Sequence, residues 1–73
     1  MLSQKDLNDI EAAITALAIK KALKLKINGI KVKVVRNANG SYGTYSAGHW
    51  ITDDDDPKAA FELVKSLLNI KSY

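Results

Sequence analysis

The only histidine of the chain, His49, is the first candidate for a chemical role, because Ser46 and Asp53 occur near it in the sequence. A serine nucleophile needs its histidine base within hydrogen-bond reach, about 3 Å. In an extended segment Ser46 and His49 would point to opposite faces and lie about 10 Å apart. The chain also has no cysteine and no converging set of polar residues. We therefore expect no enzymatic activity.

A run of four aspartates, Asp53 to Asp56, is the second candidate, because carboxylates can bind a divalent cation. A calcium loop spaces its ligands so that the chain wraps the ion, with a glycine at the sharp turn and a closing glutamate. Consecutive aspartates lack that spacing, and helix capping accounts for Asp55 and Asp56. The glycines are spaced for turns and not for a phosphate-binding loop. The sequence thus predicts no metal site and no cofactor.

A block of basic residues with no acidic residue among them is the most informative feature of the sequence. The block consists of Lys20, Lys21, Lys24, Lys26, Lys31, Lys33 and Arg36, in a chain of formal net charge +3. Lysines contact phosphates, and neighbouring aromatic rings can stack on bases. Alternatively, lysines that alternate along a strand are its solvated, aggregation-resistant face. The candidate residues for binding DNA or RNA are Lys24, Lys31, Lys33 and Arg36, with Tyr42 or Trp50 for stacking.

A β-hairpin from Ile30 to Ile51 is predicted to position these residues. The alternation of apolar residues and lysines after Ile30 is typical of a strand with one buried face. Asn39-Gly40 is the commonest kind of two-residue turn between antiparallel strands. This turn puts Val32, Val34, Tyr45 and Ala47 on the core face and Lys31, Lys33, Val35, Tyr42, Thr44 and Ser46 on the exposed face. A loop that is longer by one residue would change the pairing.

A helix is predicted to begin after Ser3, whose hydroxyl can cap the first turn while Asp6 completes a capping box. The stretch from Ala12 to Ile19 carries more apolar surface than one hairpin can cover. Small domains often gain burial by self-association. We therefore expect a homodimer, with candidate interface residues Ile14, Leu17 and Ala18.

The end of this helix is ambiguous. The interpretation we favour continues the helix to about Lys26, with Asn28 or Gly29 as its C-terminal cap. In the alternative, the segment from Leu23 to Ile27 is a strand that pairs with the hairpin through a turn at Asn28-Gly29. That pairing sets Lys24 against Lys33 and Lys26 against Lys31, and directly opposed like charges destabilise a sheet.

A second helix is predicted to begin at Pro57, with Asp56 as its N-cap. Its apolar stripe consists of Ala60, Phe61, Val64, Leu67 and Leu68. Ile70 and Tyr73 after it either pack on the sheet or fray. Residues 48–52 before it either extend the second strand, with Gly48 as a bulge, or cross to the helix.

The chain of 73 residues is thus predicted to be a single small α+β domain, residues 1–73, with the order helix, β-hairpin, helix (αββα). Two helices cover one face of an antiparallel sheet of two strands, or of three if the segment from Leu23 to Ile27 is extended. No targeting or membrane-spanning segment is visible, so we expect a soluble cytoplasmic protein that contacts no membrane. The specific expectation for function is non-specific nucleic-acid binding through a lysine-rich sheet face. The alternative is a homodimeric protein–protein interaction module without catalytic activity.

Overall fold

The structure, a computed structural model, describes residues 3–27 and 29–69 of the chain. The elements are α1 (Gln4–Thr15), β1 (Ala22–Ile27), β2 (Ile30–Arg36), β3 (Tyr42–Ser46), β4 (His49–Asp54) and α2 (Pro57–Asn69). The strands form one antiparallel sheet in the order β1-β2-β3-β4. The predicted α+β class is confirmed, with four strands where two or three were expected. The predictions for Asn28, Ile70 and Tyr73 lie outside the described residues.

The first helix is shorter than the sequence predicts, because α1 ends at Thr15 and not near Lys26. The chain turns after the helix, where Lys20 has the left-handed φ of 68°. Two backbone hydrogen bonds then join the segment at Lys20 and Lys21 to the end of β2. The Lys20 amide donates to the Arg36 carbonyl (2.7 Å), and the Arg36 amide donates to the Lys21 carbonyl (2.9 Å). The favoured helical interpretation is thus wrong, and the alternative strand is the one observed.

Burial of apolar side chains explains why β1 is a strand. Every second residue packs half-buried against the core, namely Leu23, Leu25 and Ile27. The register sets Lys24 opposite Lys33 and Lys26 opposite Lys31, as the alternative predicted. An opposed like-charge pair is destabilising by roughly 0.2–1 kcal/mol, whereas full burial of a leucine or isoleucine stabilises by about 1.5–3 kcal/mol. Three half-buried apolar side chains therefore outweigh two lysine pairs.

The turn between β2 and β3 contains Asn39-Gly40 but is one residue longer than predicted. The Gly40 amide donates to the Asn37 carbonyl (2.9 Å), and the Asn37 amide donates to the Ser41 carbonyl (2.8 Å). Gly40 has φ of 90°, so this is a three-residue loop in which a glycine in the left-handed region follows a tight turn. The Asn39 side-chain oxygen accepts from the Ser41 amide (3.0 Å) and hydroxyl (2.7 Å). These bonds stabilise the longer loop.

The longer loop shifts the pairing of β3 with β2 by one residue from the predicted register. Such a shift moves every side chain of the strand to the other face of the sheet. Tyr42, Thr44 and Ser46 consequently lie on the core side, where Tyr42 is 3% exposed and Thr44 is fully buried. Tyr45 lies on the opposite face, and Ala47 is in the next turn. The faces predicted for β2 are confirmed, with Val32 and Val34 inward and Lys31 and Lys33 outward.

A fourth strand, β4, follows β3 directly. Ala47 (φ 53°) and Gly48 (φ 83°) form a two-residue turn, which brings His49 opposite Ser46. Positive φ at both turn residues matches the twist of the flanking strands. Gly48 is therefore a turn residue, and the bulge lies at Ile51, which the shifted register of β4 leaves without a partner.

Both helices begin with the predicted caps. The Asp6 amide donates to the Ser3 hydroxyl (3.1 Å) and the Ser3 amide donates to the Asp6 carboxylate (3.3 Å), which completes the capping box. At α2 the Lys58 amide donates to the Asp56 carboxylate (3.0 Å), and Pro57 is the first helical residue. These caps satisfy amides that have no partner within the helix.

The core lies between the helices and one face of the sheet. Its buried apolar residues are Ile10, Ile14, Val32, Val34, Tyr42, Ala60, Phe61, Val64 and Leu68. The apolar stripe predicted for α2 is confirmed, with Leu67 half-buried at its edge. Because α1 packs on α2 and α2 packs on the central strands, both helices are on the same side of the sheet.

Replacing Thr44 by valine is expected to stabilise the fold. Thr44 is fully buried, and its hydroxyl has no hydrogen-bond partner among the described residues. An unsatisfied buried hydroxyl costs about 1–3 kcal/mol, and valine has nearly the same shape. Thr44→Val should raise the free energy of unfolding by about 1 kcal/mol in urea denaturation. Thr52→Val on the neighbouring strand should give no such gain, because the Thr52 hydroxyl donates to the Asp53 carbonyl (3.5 Å). A less stable Thr44→Val variant would show that the hydroxyl has a partner.

Candidate nucleic-acid interface

The face of the sheet that points away from both helices carries most of the basic block. The pairing registers assign to it Ala22, Lys24, Lys26, Lys31, Lys33, Val35, Gly43, Tyr45, Trp50 and Asp53. We call these ten residues the outer face. Asp53 is its one acidic member. The helices bury their apolar residues against the other side, so neither of them covers this surface.

Four lysines of the outer face form two directly opposed pairs, Lys24 with Lys33 and Lys26 with Lys31. The Cβ atoms of opposed residues are about 4.5–5.5 Å apart, and the two pairs are separated by about 6.7 Å along the strands. Three of the side chains are exposed and Lys33 is half-buried. The four lysines line a shallow depression of about 380 Å³ together with Tyr45 and Gly48. Four positive charges are thus concentrated in a small area.

Two aromatic residues extend one of these pairs across the sheet. Lys33 is paired with Tyr45 and Tyr45 with Trp50, so a single row contains one residue from each strand. The Lys33 ammonium group lies 4.8 Å from the centroid of the Tyr45 ring, which is a cation–π contact. The Trp50 side chain is 59% exposed. The row therefore has two cationic side chains at one end and the exposed indole of Trp50 at the other.

The indole of Trp50 has a hydrogen-bond partner, Asp53, for which Gly43 leaves room. The indole N–H donates to the Asp53 carboxylate at 2.9 Å. A Cβ atom at Gly43 would lie 2.8 Å from the same carboxylate oxygen, which is closer than such atoms approach. The glycine therefore leaves the space into which Asp53 fits. The hydrogen bond to Asp53 restrains the edge of the indole, while much of the ring remains in solvent.

Arg36 and Tyr42 were predicted to belong to the binding face, and the structure places both on the other side of the sheet. The Arg36 guanidinium lies 5.0 Å from the centroid of the Tyr42 ring. It donates to the carbonyls of Leu17 (3.0 Å) and Gly40 (3.3 Å). Arg36 thus connects the segment that follows α1 to the turn between β2 and β3. Because Tyr42 is buried in the core, its ring is unavailable for stacking.

The remaining predicted residues, Lys24, Lys31, Lys33 and Trp50, share the outer face. Two further residues of the outer face, Lys26 and Tyr45, were not among the candidates predicted from the sequence. Lys26 could have been found from the alternative strand, since that pairing places it against Lys31. Tyr45 could not be assigned without the length of the turn, because a shift of one residue exchanges the two faces.

The residues predicted for a dimer interface are in three different environments. Ile14 is fully buried in the core of its own chain, so its side chain cannot contact a partner. Leu17 is half-buried against the same core, whereas Ala18 is exposed. Ile19 next to it is 49% exposed. The apolar surface left free by Ile14, Leu17 and Ala18 is therefore smaller than the sequence suggested.

The expected separation of Ser46 from His49 is wrong, because the turn at Ala47-Gly48 makes them directly opposed. Asp53, the third residue of the triad considered from the sequence, does not join this pair. It lies on the outer face and accepts the hydrogen bond from Trp50. Within residues 3–27 and 29–69, no group of three or more histidine, cysteine, aspartate or glutamate side chains could hold a metal ion.

Neither helix in the described part of the chain is long and apolar enough to cross a membrane. Comparison of the chain with protein-family models, with curated proteins and with solved structures gave no match. The function is therefore inferred from the geometry and charge of the outer face.

Proposed function

We propose that this protein binds nucleic acid without sequence specificity through the outer face of its sheet. The observation that supports this most strongly is the two opposed lysine pairs on a surface that no helix covers. In the free protein the two ammonium groups of each pair repel each other. A phosphate backbone laid over the depression would convert this repulsion into attraction and release its condensed counterions.

The position of the lysines within the sheet favours ligand binding over protection against aggregation. Lysines on an edge strand prevent pairing with another chain, which accounts for Lys24 and Lys26 on β1. Lys31 and Lys33 are on β2, which is paired on both sides and needs no such protection. An anionic ligand explains all four side chains with one function.

The composition of the outer face favours contacts to phosphates over reading of bases. Base-specific recognition commonly uses arginine, whose planar guanidinium forms two hydrogen bonds to guanine. Arg36 is the only arginine of the chain, and its donors are directed to backbone carbonyls on the core side. Lysine is a flexible point charge that suits phosphates in any sequence. We therefore propose an accessory binding protein without catalytic activity.

A salt titration tests this proposal directly. Labelled single-stranded and double-stranded oligonucleotides are titrated with the protein between about 50 and 200 mM salt. Four phosphate contacts predict that the logarithm of the association constant falls with the logarithm of salt concentration with a slope of about −3 for single strands and about −4 for duplexes. The absence of binding at the lowest salt concentration would refute the proposal.

A homodimeric interaction module is the second candidate. The observation in its favour is the apolar surface of the segment that follows α1, where Ile19 is 49% exposed beside Ala18. Light scattering on the titrated samples separates the two proposals. A dimer that does not bind nucleic acid would favour this candidate, and a monomer that binds would exclude it.

A further inference from the structure

The row of four residues across the outer face combines two kinds of binding group. Lys24 and Lys33 supply positive charge on β1 and β2, and Tyr45 and Trp50 supply aromatic rings on β3 and β4. Neighbouring strands are about 4.8 Å apart, so the row measures about 14 Å from end to end. A nucleotide strand with its phosphates over the lysines would therefore have its bases within reach of the rings.

The two rings have different environments. The Lys33 ammonium already lies over the face of Tyr45, so this ring positions the cation. Trp50 is 59% exposed, and its indole N–H is engaged by Asp53 at the ring edge. A hydrogen bond at the edge leaves a face of the indole free for stacking. Trp50 is therefore the residue on which a base can stack.

Holding the indole in place reduces the entropy lost when a ligand binds to it. Asp53 provides this restraint, and Gly43 provides the space for Asp53. An exposed tryptophan contributes little to folding, because its apolar surface stays in water. The arrangement is thus better explained by a ligand with a flat aromatic surface than by stability of the fold.

Bases present their flat faces to a protein only when they are unpaired. In a duplex they are stacked on each other, and inserting a side chain between them costs a few kcal/mol. In a single strand every base can stack on an aromatic side chain, whatever its identity. We infer that the outer face binds single-stranded nucleic acid, with a base stacked on Trp50 and the backbone over the lysine pairs. This inference rests on the proposed nucleic-acid binding and specifies the class of ligand, a single strand.

The fluorescence of Trp50 tests the inference, since Trp50 is the only tryptophan of the chain. The probes are an oligothymidine and an oligouridine of about 12 nucleotides, a duplex of the same length, and heparin as a polyanion without bases. Either single strand should quench the emission and bind at least about fivefold more tightly than the duplex. Heparin should bind without comparable quenching.

Substitution of Trp50 separates stacking from charge attraction. Trp50→Leu should weaken oligothymidine binding about tenfold, measured by anisotropy of the labelled strand, and leave heparin binding unchanged. Trp50→Phe retains a ring and should recover most of the affinity. Circular dichroism melting of both variants checks that the fold is intact.

Two results would contradict the inference in different ways. Equal binding of single strand, duplex and heparin, with no quenching and no effect of Trp50→Leu, would overturn the stacking role and leave the proposed function standing. The absence of binding to any of the four probes at low salt would overturn both.

Discussion

Replacing Lys31 and Lys33 together by glutamate is expected to abolish nucleic-acid binding and to leave the protein folded. Each exchange changes the charge by −2, so the formal net charge falls from +3 to −1. Two phosphate contacts are lost and two repulsive charges are added. We expect the affinity for a labelled oligonucleotide at low salt to fall at least about a hundredfold.

The same double variant should be slightly more stable than the parent protein. Lys24 and Lys26 would each face a carboxylate instead of an ammonium group. Cross-strand pairs of opposite charge contribute roughly 0.2–1 kcal/mol each. Loss of the Lys33–Tyr45 cation–π contact offsets part of this gain. Urea denaturation should therefore show a slightly higher midpoint, which would exclude unfolding as the cause of lost binding.

The matched control is the double variant Lys5→Glu and Lys58→Glu. Both lysines are exposed in the first turns of the helices, on the side of the sheet away from the outer face. The change in net charge is identical, and glutamate is favoured near a helix N-terminus. Binding should stay within a few-fold of the parent value. Equal losses in the two double variants would show that overall charge, and not the outer face, is responsible.

The segment from Leu23 to Ile27 shows why part of the fold could not be predicted. Its alternation of apolar residues and lysines fits a strand, but a short segment after a helix is also compatible with continuation of that helix. The opposed lysines argued against the strand, and their repulsion is real but small. The deciding contribution is burial of three apolar side chains against the core, which depends on the rest of the fold. The sequence of this segment alone does not show how much of its apolar surface the core will bury.

The assignment of the aromatic residues failed for a different reason. Asn39-Gly40 fits a two-residue turn and also the last two positions of a three-residue loop. The choice between them decides whether Tyr42 or Tyr45 joins the lysines. Hydrogen bonds from Ser41 to the Asn39 side chain favour the longer loop, and so does burial of Tyr42. The alternating lysines of β2 were predictable, since the turn does not affect which of its faces is apolar.

Replacing Ile14 by aspartate is expected to unfold the protein. Ile14 is fully buried in the cluster that joins both helices to the sheet. The substitution removes apolar burial and places a carboxylate in the core without a partner, and each effect costs several kcal/mol. A domain of this size is stable by about 4–10 kcal/mol in total. Circular dichroism and proteolysis should therefore show a largely unfolded chain at neutral pH.

The control for this change is Ile19→Asp, at a position that is 49% exposed. A charge there remains in water, so the free energy of unfolding should change by less than about 0.5 kcal/mol. The comparison also tests the prediction from the sequence that Ile14 belongs to a dimer interface. If Ile14 were an interface residue, Ile14→Asp would give a folded monomer. That outcome, seen by light scattering together with a native circular dichroism spectrum, would contradict the placement of Ile14 in the core.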